Sequence, residues 1–170
     1  MTKFTRTAAA LLSAVAAPAA FAADTIDKAD VAWMLVATTL VLFMTIPGIA
    51  LFYGGMSRKK NLLSVLAQSS AICCALSVLW VVVGYSLAFT SGNPWIGSFD
   101  HIFLKGLNLH TMSGSIPTLL FMIFQMTFAV LTGALITGSF AGRMKFSAML
   151  VFMLAWSLAV YAPICHWVWC

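Results

Sequence analysis

Acidic side chains are almost missing from this sequence: it has no glutamate, and only four aspartates occur in 170 residues. Charged residues of both signs make up 8% of the chain, hydrophobic residues make up 62%, and the mean hydropathy is +1.02. This balance lies well outside the range of a soluble globular domain. The long apolar segments contain no carboxylate that could serve as a general base.

The usual signatures of cofactor chemistry are missing as well. The sequence has no glycine-rich phosphate loop, and its cysteines and histidines do not follow the spacing of a zinc or haem site. The adjacent Cys73 and Cys74 are interpreted as small apolar packing residues, whereas Cys165 and Cys170 lie near the end of the last apolar segment. We therefore expect no cofactor, no metal site and no enzymatic activity.

The positive charge of the chain is clustered. Five of the nine cations lie in two short groups, Arg58–Lys60 and Arg143 with Lys145, and each group borders an apolar segment. The net charge of +5 is therefore better explained by membrane topology than by binding of nucleic acid.

Four apolar segments are long enough to cross a bilayer core, which takes roughly 20 helical residues. They cover residues 31–53, 62–89, 116–141 and 146–169. The positive-inside rule places both cationic loops in the cytoplasm and loop 90–115 on the outer side. The predicted fold class is all-α: a polytopic membrane bundle of about four helices.

Residues 1–23 have the layout of a cleaved secretory signal. Lys3 and Arg6 precede a short apolar run at 7–17, and the small residues around Ala22 are typical of a cleavage site. Cleavage would leave a mature domain at 24–170 whose N-terminus lies on the outer side; the alternative is a retained anchor of low hydrophobicity.

Two local patterns bear on helix geometry. Pro47 and Gly48 lie inside the first predicted span, where proline removes an amide donor and loosens the helix. In the third span, Ala134, Gly138 and Gly142 repeat every four residues, and so do Ala129, Gly133 and Thr137. Such small residues let helix backbones approach closely, which indicates a bundle rather than a pore.

The first span also resembles a known family. The run TIPGIALFYGGM at 45–56, followed by basic residues and Asn61, is similar to the first membrane helix of the ammonium transporter family, which comprises the Amt, Mep and Rhesus proteins. The resemblance continues through WVVVGYSLAF at 80–89, FQMTF at 124–128 and YAPICHWVW at 161–169. It covers essentially all of the chain after residue 23 and is similar to the N-terminal part of a bacterial member.

The resemblance implies a fold of eleven helices, with two inverted five-helix halves, of which this chain would supply part of the first half. It implies ammonium or ammonia as the transported species and the bacterial inner membrane as the location. It also implies homotrimers in full-length relatives and a cytoplasmic face that meets a PII-type signalling protein.

The same resemblance assigns three site residues. Trp169 matches the tryptophan that recruits ammonium at the outer mouth, by the run Pro-x-x-His-x-x-Trp, and Phe128 and Phe124 match the constriction and its upper neighbour. From the residues alone, an interfacial aromatic belt explains Trp167 and Trp169, and helix packing explains the phenylalanine pair.

The chain departs from the family pattern at the pore. The family places a pair of facing histidines, a buried aspartate and a second gating phenylalanine on later helices. The three histidines here are His101 and His110 in the predicted outer loop and His166 in the His-x-x-Trp segment. We therefore expect a truncated transporter; the alternative is a non-transporting four-helix membrane protein that packs against partners through its third span.

Overall fold

Four long helices form the architecture of residues 26–170, which are the residues described by the computed structural model. Each is long and apolar enough to cross a membrane: α1 (Lys28–Met56), α2 (Lys59–Phe89), α3 (Thr118–Phe140) and α4 (Phe146–Trp169). The predicted four-helix membrane bundle is confirmed, and the helix bounds differ from the predicted ones by at most three residues. The signal predicted at 1–23 lies outside the described residues.

Helix α1 begins at an aspartate cap and is interrupted near its middle. The carboxylate of Asp27 accepts hydrogen bonds from the backbone N–H groups of Ala29, at 2.7 Å, and Asp30, at 3.3 Å, which satisfies two of the unpaired donors of the first turn. At Ile46 the backbone leaves the helical region, with φ −127° and ψ 107°. The interruption therefore lies directly before Pro47, where the sequence predicted a loosened helix.

The other helices differ in regularity. Helix α3 runs for 23 residues without a break, whereas α2 and α4 each contain one widened turn of π type, at Trp80–Gly84 and Ser157–Tyr161. Such turns inside α-helices often lie near functional sites. Both widened turns contribute to one aromatic cluster, described below.

The main core lies where α2, α3 and α4 meet. Its fully buried members are Ile72 and Leu76 from α2, Val130 from α3, and Met149 and Met153 from α4. Helix α3 also packs along α1. As the central element of the bundle, α3 contacts all three other helices.

Two glycines on α3 allow this close packing. A Cβ atom on Gly133 would lie 2.3 Å from the Leu76 side chain, and one on Gly138 would lie 2.3 Å from the Tyr53 ring. The Tyr53 hydroxyl donates a 2.8 Å hydrogen bond to the backbone oxygen of Leu135. The space beside these two glycines, which belong to the small residues predicted to mediate packing, is therefore occupied by side chains of the same chain.

The helix ends divide the bundle into two sides. The cationic end carries Arg58–Lys60 and Arg143 with Lys145, and the opposite end, here called the loop end, carries residues 90–117. The loop contains a two-residue antiparallel hairpin in which Met112 pairs with Pro117 and Ser113 with Ile116. Beside it, the backbone oxygen of Ser115 accepts a 3.0 Å hydrogen bond from the N–H of Asp27, and the Ser115 hydroxyl donates to Asp30.

Candidate aromatic site at the loop end

Phe124 and Phe128 lie one helical turn apart on α3 and form an edge-to-face pair. Their ring centroids are 5.0 Å apart and the ring planes meet at 79°. Both rings are half-buried, so part of each remains accessible at the surface of the described residues. The site therefore offers two aromatic surfaces side by side, which is the arrangement the sequence predicted for this pair.

Hydroxyl groups beside the pair bond to its backbone. Thr127 Oγ1 donates to the Phe124 carbonyl at 2.6 Å, and Thr132 Oγ1 donates to the Phe128 carbonyl at 2.8 Å. The hydroxyl donors are thus used within α3 itself, as serine and threonine commonly do inside apolar helices. The surface that the pair presents is consequently aromatic rather than polar.

Trp169 lies in the last turn of α4 and is 64% exposed. Among the ring pairs formed within residues 26–170, Phe124 meets Phe128, but Trp169 takes part in none. The structure therefore brings together two of the three predicted site residues and leaves the third as an exposed indole at the loop end. An exposed indole face is available to a cation, with an attraction of about 0.5–1 kcal/mol.

A second pair of tryptophans joins α4 to the loop. The rings of Trp95 and Trp167 are in edge-to-face contact, with centroids 5.8 Å apart, and Trp167 Nε1 donates a 2.9 Å hydrogen bond to the backbone oxygen of Trp95. Both indoles are more than half exposed. Trp167 thus has the exposure expected of an interfacial tryptophan, together with a specific bond that the sequence did not reveal.

Sequence reasoning also missed the buried aromatic cluster beneath this end. Trp80 is 2% exposed, and its rings meet those of Tyr85, Phe89 and Tyr161 at centroid distances of 6.0–6.4 Å. Its indole N–H donates to the Met122 backbone oxygen at 3.3 Å. A tryptophan in the middle of an apolar span was the available signal, because its N–H needs an acceptor when buried.

His166 was set aside in the sequence because it is not in a pore position, yet it is buried and bonded on both ring nitrogens. Nδ1 lies 3.1 Å from the backbone oxygen of Ala88, and Nε2 lies 3.2 Å from that of Asn93. The side chain is 8% exposed. It therefore connects α4 both to the end of α2 and to the loop.

Metal-binding clusters of three or more histidine, cysteine, aspartate or glutamate side chains do not occur within residues 26–170. The four cysteines are free thiols; Cys73 and Cys165 are buried, whereas Cys74 and Cys170 are exposed. The candidate site itself consists of the aromatic rings of Phe124, Phe128 and Trp169. Aromatic faces of this kind are suited to attracting a cation.

Comparison with known proteins decides the family. The family model described as the Ammonium Transporter Family matches residues 32–170. The chain belongs to the ammonium transporter family. The recognition made from the 45–56 motif is thereby confirmed, and the relatives are named as transporters rather than enzymes.

Individual members of the ammonium transporter family are similar over most of the chain. An ammonium transporter of Aquifex aeolicus is 45% identical over 85% of this chain, and one of Bacillus subtilis is 49% identical over 82%. These matches cover 34% and 35% of the two relatives. The chain therefore spans about a third of the length of the curated relatives it matches.

Solved structures of the family show the same fold. The crystal structure of Mep2 from Candida albicans matches with a TM-score of 0.77 and 35% identity, and that of Saccharomyces cerevisiae Mep2 with 0.76 and 38%. Each match covers 85% of this chain and about a third of the solved one, 32% and 33% respectively. The four helices thus form a multi-pass membrane unit of the ammonium transporter type.

Proposed function

We propose that this chain takes part in moving ammonium or ammonia across a bacterial inner membrane and that it forms the outer part of the pathway. The observation that carries the proposal is the match, at 45% and 49% identity, to proteins named ammonium transporters over more than four-fifths of the chain. The fold and the aromatic character of the loop end are consistent with that activity.

Within this function, Trp169 recruits the cation, and Phe124 and Phe128 line the part of the pathway below the recruitment site. Support comes from the 64% exposure of Trp169 and from the half-buried edge-to-face pair on α3. Aromatic faces attract an ammonium ion by about 2 kcal/mol or more once it is desolvated. That is far below the idealised cost of order 20 kcal/mol for burying a bare ion. The rings can therefore hold the cation at the mouth, and passage deeper in favours the neutral form.

We further propose that conduction needs groups beyond these 170 residues. His101 and His110 lie in the loop, and both ring nitrogens of His166 already face backbone carbonyls. The chain therefore supplies no pair of histidines facing each other between the helices. Assembly as a homotrimer with the remaining helices present, and contact of the cationic end with a PII-type signalling protein, belong to the same proposal.

The orientation follows from charge. The cationic end carries five cations, whereas the loop end carries Lys28 and Lys105 among the described residues, so the cationic end is cytoplasmic and the mature N-terminus periplasmic. Alkaline phosphatase fused at Gly106 should be active, and the same enzyme fused at Lys60 should be inactive. Activity in the opposite pattern would refute the orientation and, with it, the outer position of the aromatic site.

A partner-binding protein without transport activity is less well supported. That alternative needs the small residues of α3 to be open to a partner, but Gly133 and Gly138 are filled by Leu76 and Tyr53 of the same chain. The observation favours packing within the bundle over an open partner-binding surface on α3.

The decisive experiment uses a chimera in which residues 1–170 continue into the remaining helices of the Bacillus subtilis relative. Uptake of labelled methylammonium, normalised to folded protein, should occur with the chimera and not with the 170-residue chain alone. In the chimera, Trp169→Leu should weaken apparent affinity by roughly 5–30-fold, because leucine keeps apolar bulk but lacks the π face, a loss of about 1–2 kcal/mol. Phe128→Ala should alter flux or discrimination more than affinity.

The packing explanation of these aromatics predicts a different result. Both substitutions would then lower the folded yield and leave the apparent affinity of the surviving protein unchanged. An unchanged affinity for Trp169→Leu would mean that Trp169 is an interfacial tryptophan and does not recruit the cation.

A further inference from the structure

The loop that follows α2 is bonded both to α2 and to α4. On the α2 side, the backbone N–H of Gly97 donates to the Leu87 oxygen at 2.8 Å, and Ser86 Oγ donates to the Ser98 oxygen at 2.8 Å. On the α4 side, the hydrogen bonds to residues 90–97 within the described chain come from the side chains of His166 and Trp167. We call residues 90–97 the strap.

A neutral His166 ring cannot donate to both of the carbonyl oxygens that it faces. A neutral imidazole donates from one nitrogen only, and the other nitrogen carries a lone pair. Here both nitrogens face carbonyl oxygens, of Ala88 at 3.1 Å and Asn93 at 3.2 Å, and carbonyl oxygens can only accept. The protonated ring satisfies both contacts, whereas the neutral ring satisfies one and sets a lone pair against the other oxygen.

The ionisable groups around His166 lie on α2, on α4 and in the loop. The titratable side chains on the elements packed against His166 are Tyr85 on α2 and Tyr161, Cys165 and Cys170 on or next to α4. The strap itself has none. The loop beyond the strap carries Asp100, which accepts a hydrogen bond from Ser98, and His101, whose backbone N–H donates to Ser86 Oγ at 3.0 Å and whose Nδ1 lies 2.8 Å from the Lys105 backbone oxygen. The groups in direct contact with the His166 ring nitrogens are the backbone carbonyls of Ala88 and Asn93.

We propose that His166 is a positioning residue: its imidazolium form clamps the strap and the end of α2 to the last turn of α4 and thereby fixes the neighbourhood of Trp169, three residues on. Loss of the ring proton releases one of the two bonds and loosens the strap. The clamp stands on its own geometry, and only its effect on Trp169 rests on the proposed function. The result is an outer mouth that is ordered at low pH and looser at high pH.

The first test measures amide hydrogen exchange in the wild-type chain in lipid nanodiscs at about pH 5.5 and about pH 8. Protection factors, which are corrected for the intrinsic pH dependence of exchange, are compared for the Asn93 and Gly97 amides and for α3 as an internal reference. Strap protection should fall by about tenfold or more at the higher pH, because a charge-assisted bond is lost, whereas α3 should not change.

Two variants identify the responsible ring. His166→Gln keeps a donor but cannot titrate, so the pH dependence of strap protection should disappear; His110→Gln, in the exposed loop, should retain it. A wild-type strap whose protection is independent of pH overturns the proposal, as does a His166→Gln strap that keeps the full pH response. Should His166→Gln fail to fold, His101→Gln and His110→Gln decide instead: if both keep the pH response, His166 is the remaining histidine of the three in the chain, and loss of the response in His101→Gln overturns the proposal.

The link to Trp169 is tested separately in the chimera. The ratio of apparent methylammonium affinities, wild type over His166→Gln, should change between the two pH values, within the 5–30-fold bound set by Trp169 itself. A constant ratio would reject the effect on Trp169. The exchange measurement involves no transport, so its outcome is independent of whether the proposed function is correct.

Discussion

Two parts of the bundle differ in how closely they are packed. The interface between α1, α2 and α3, here called the seam, is tightly packed, whereas the aromatic residues at the loop end are largely exposed. In the seam, glycines receive neighbouring side chains, and Leu76 and Val130 are at most 1% exposed. At the loop end, Trp95, Trp167 and Trp169 are all more than half exposed, and Trp167 is joined to the loop by one hydrogen bond and one ring contact. The seam holds the helices together, whereas the aromatic end leaves much of the surface of these three indoles exposed.

Two tryptophans provide the largest test of this contrast. Trp80→Ala should lower the free energy of unfolding by about 3–5 kcal/mol, because it empties a site that is 2% exposed and removes the bond to Met122. Trp169→Ala, at 64% exposure, should change it by less than about 0.5 kcal/mol. Reversible unfolding in mixed detergent micelles measures both. Similar losses for the two variants would abolish the distinction between a structural and an exposed region.

Glycine substitutions test the seam at a smaller scale. Gly138→Ala should cost about 1–3 kcal/mol, because the new Cβ would lie 2.3 Å from the Tyr53 ring. Gly55→Ala is the matched control in a helix, since a Cβ there meets nothing within 4 Å, and it should be neutral or slightly stabilising. Equal unfolding free energies for the two variants would mean that α1 does not press on α3 at this position.

The smallest expected effect concerns one hydroxyl group. Tyr53→Phe removes the 2.8 Å bond to the Leu135 oxygen but keeps the ring against Gly138, so it should cost about 0.5–1.5 kcal/mol. Combining it with Gly138→Ala should give a loss that differs from the sum of the two, because the residues are in contact. If the two losses in unfolding free energy simply add in the double variant, Tyr53 and Gly138 are not energetically coupled.

Much of the fold was readable from local sequence patterns, because helix position depends on apolar length and charge. The four spans and the break before Pro47 are of this kind. The hydrogen bonds between helices could not be predicted from the sequence. Tyr53 and Leu135 are 82 residues apart in the chain, and His166 and Ala88 are 78 residues apart. A sequence pattern names a donor but does not name an acceptor that only the folded chain brings near.

The candidate site divides in the same way. Phe124 and Phe128 share a helix face because they are four residues apart, so their contact followed from spacing alone. The clamp at His166 depends on the path of the strap, which no periodicity encodes. Cys165 lies next to it and is buried, and its exposure likewise could not be derived from the position of the residue near a helix end.

Helix α1 is fastened to the rest of the bundle near both of its ends. At the loop end, Asp27 and Asp30 bond to Ser115, and toward the cationic end Tyr53 bonds to Leu135. The break at Ile46 lies between these fastenings. The middle of α1 is held as well, because Thr45 and Ala50, on either side of the break, are 0% and 3% exposed. The bend at Ile46 is therefore fixed in place by packing on both sides, and α1 is anchored to the bundle at three levels rather than at its ends alone.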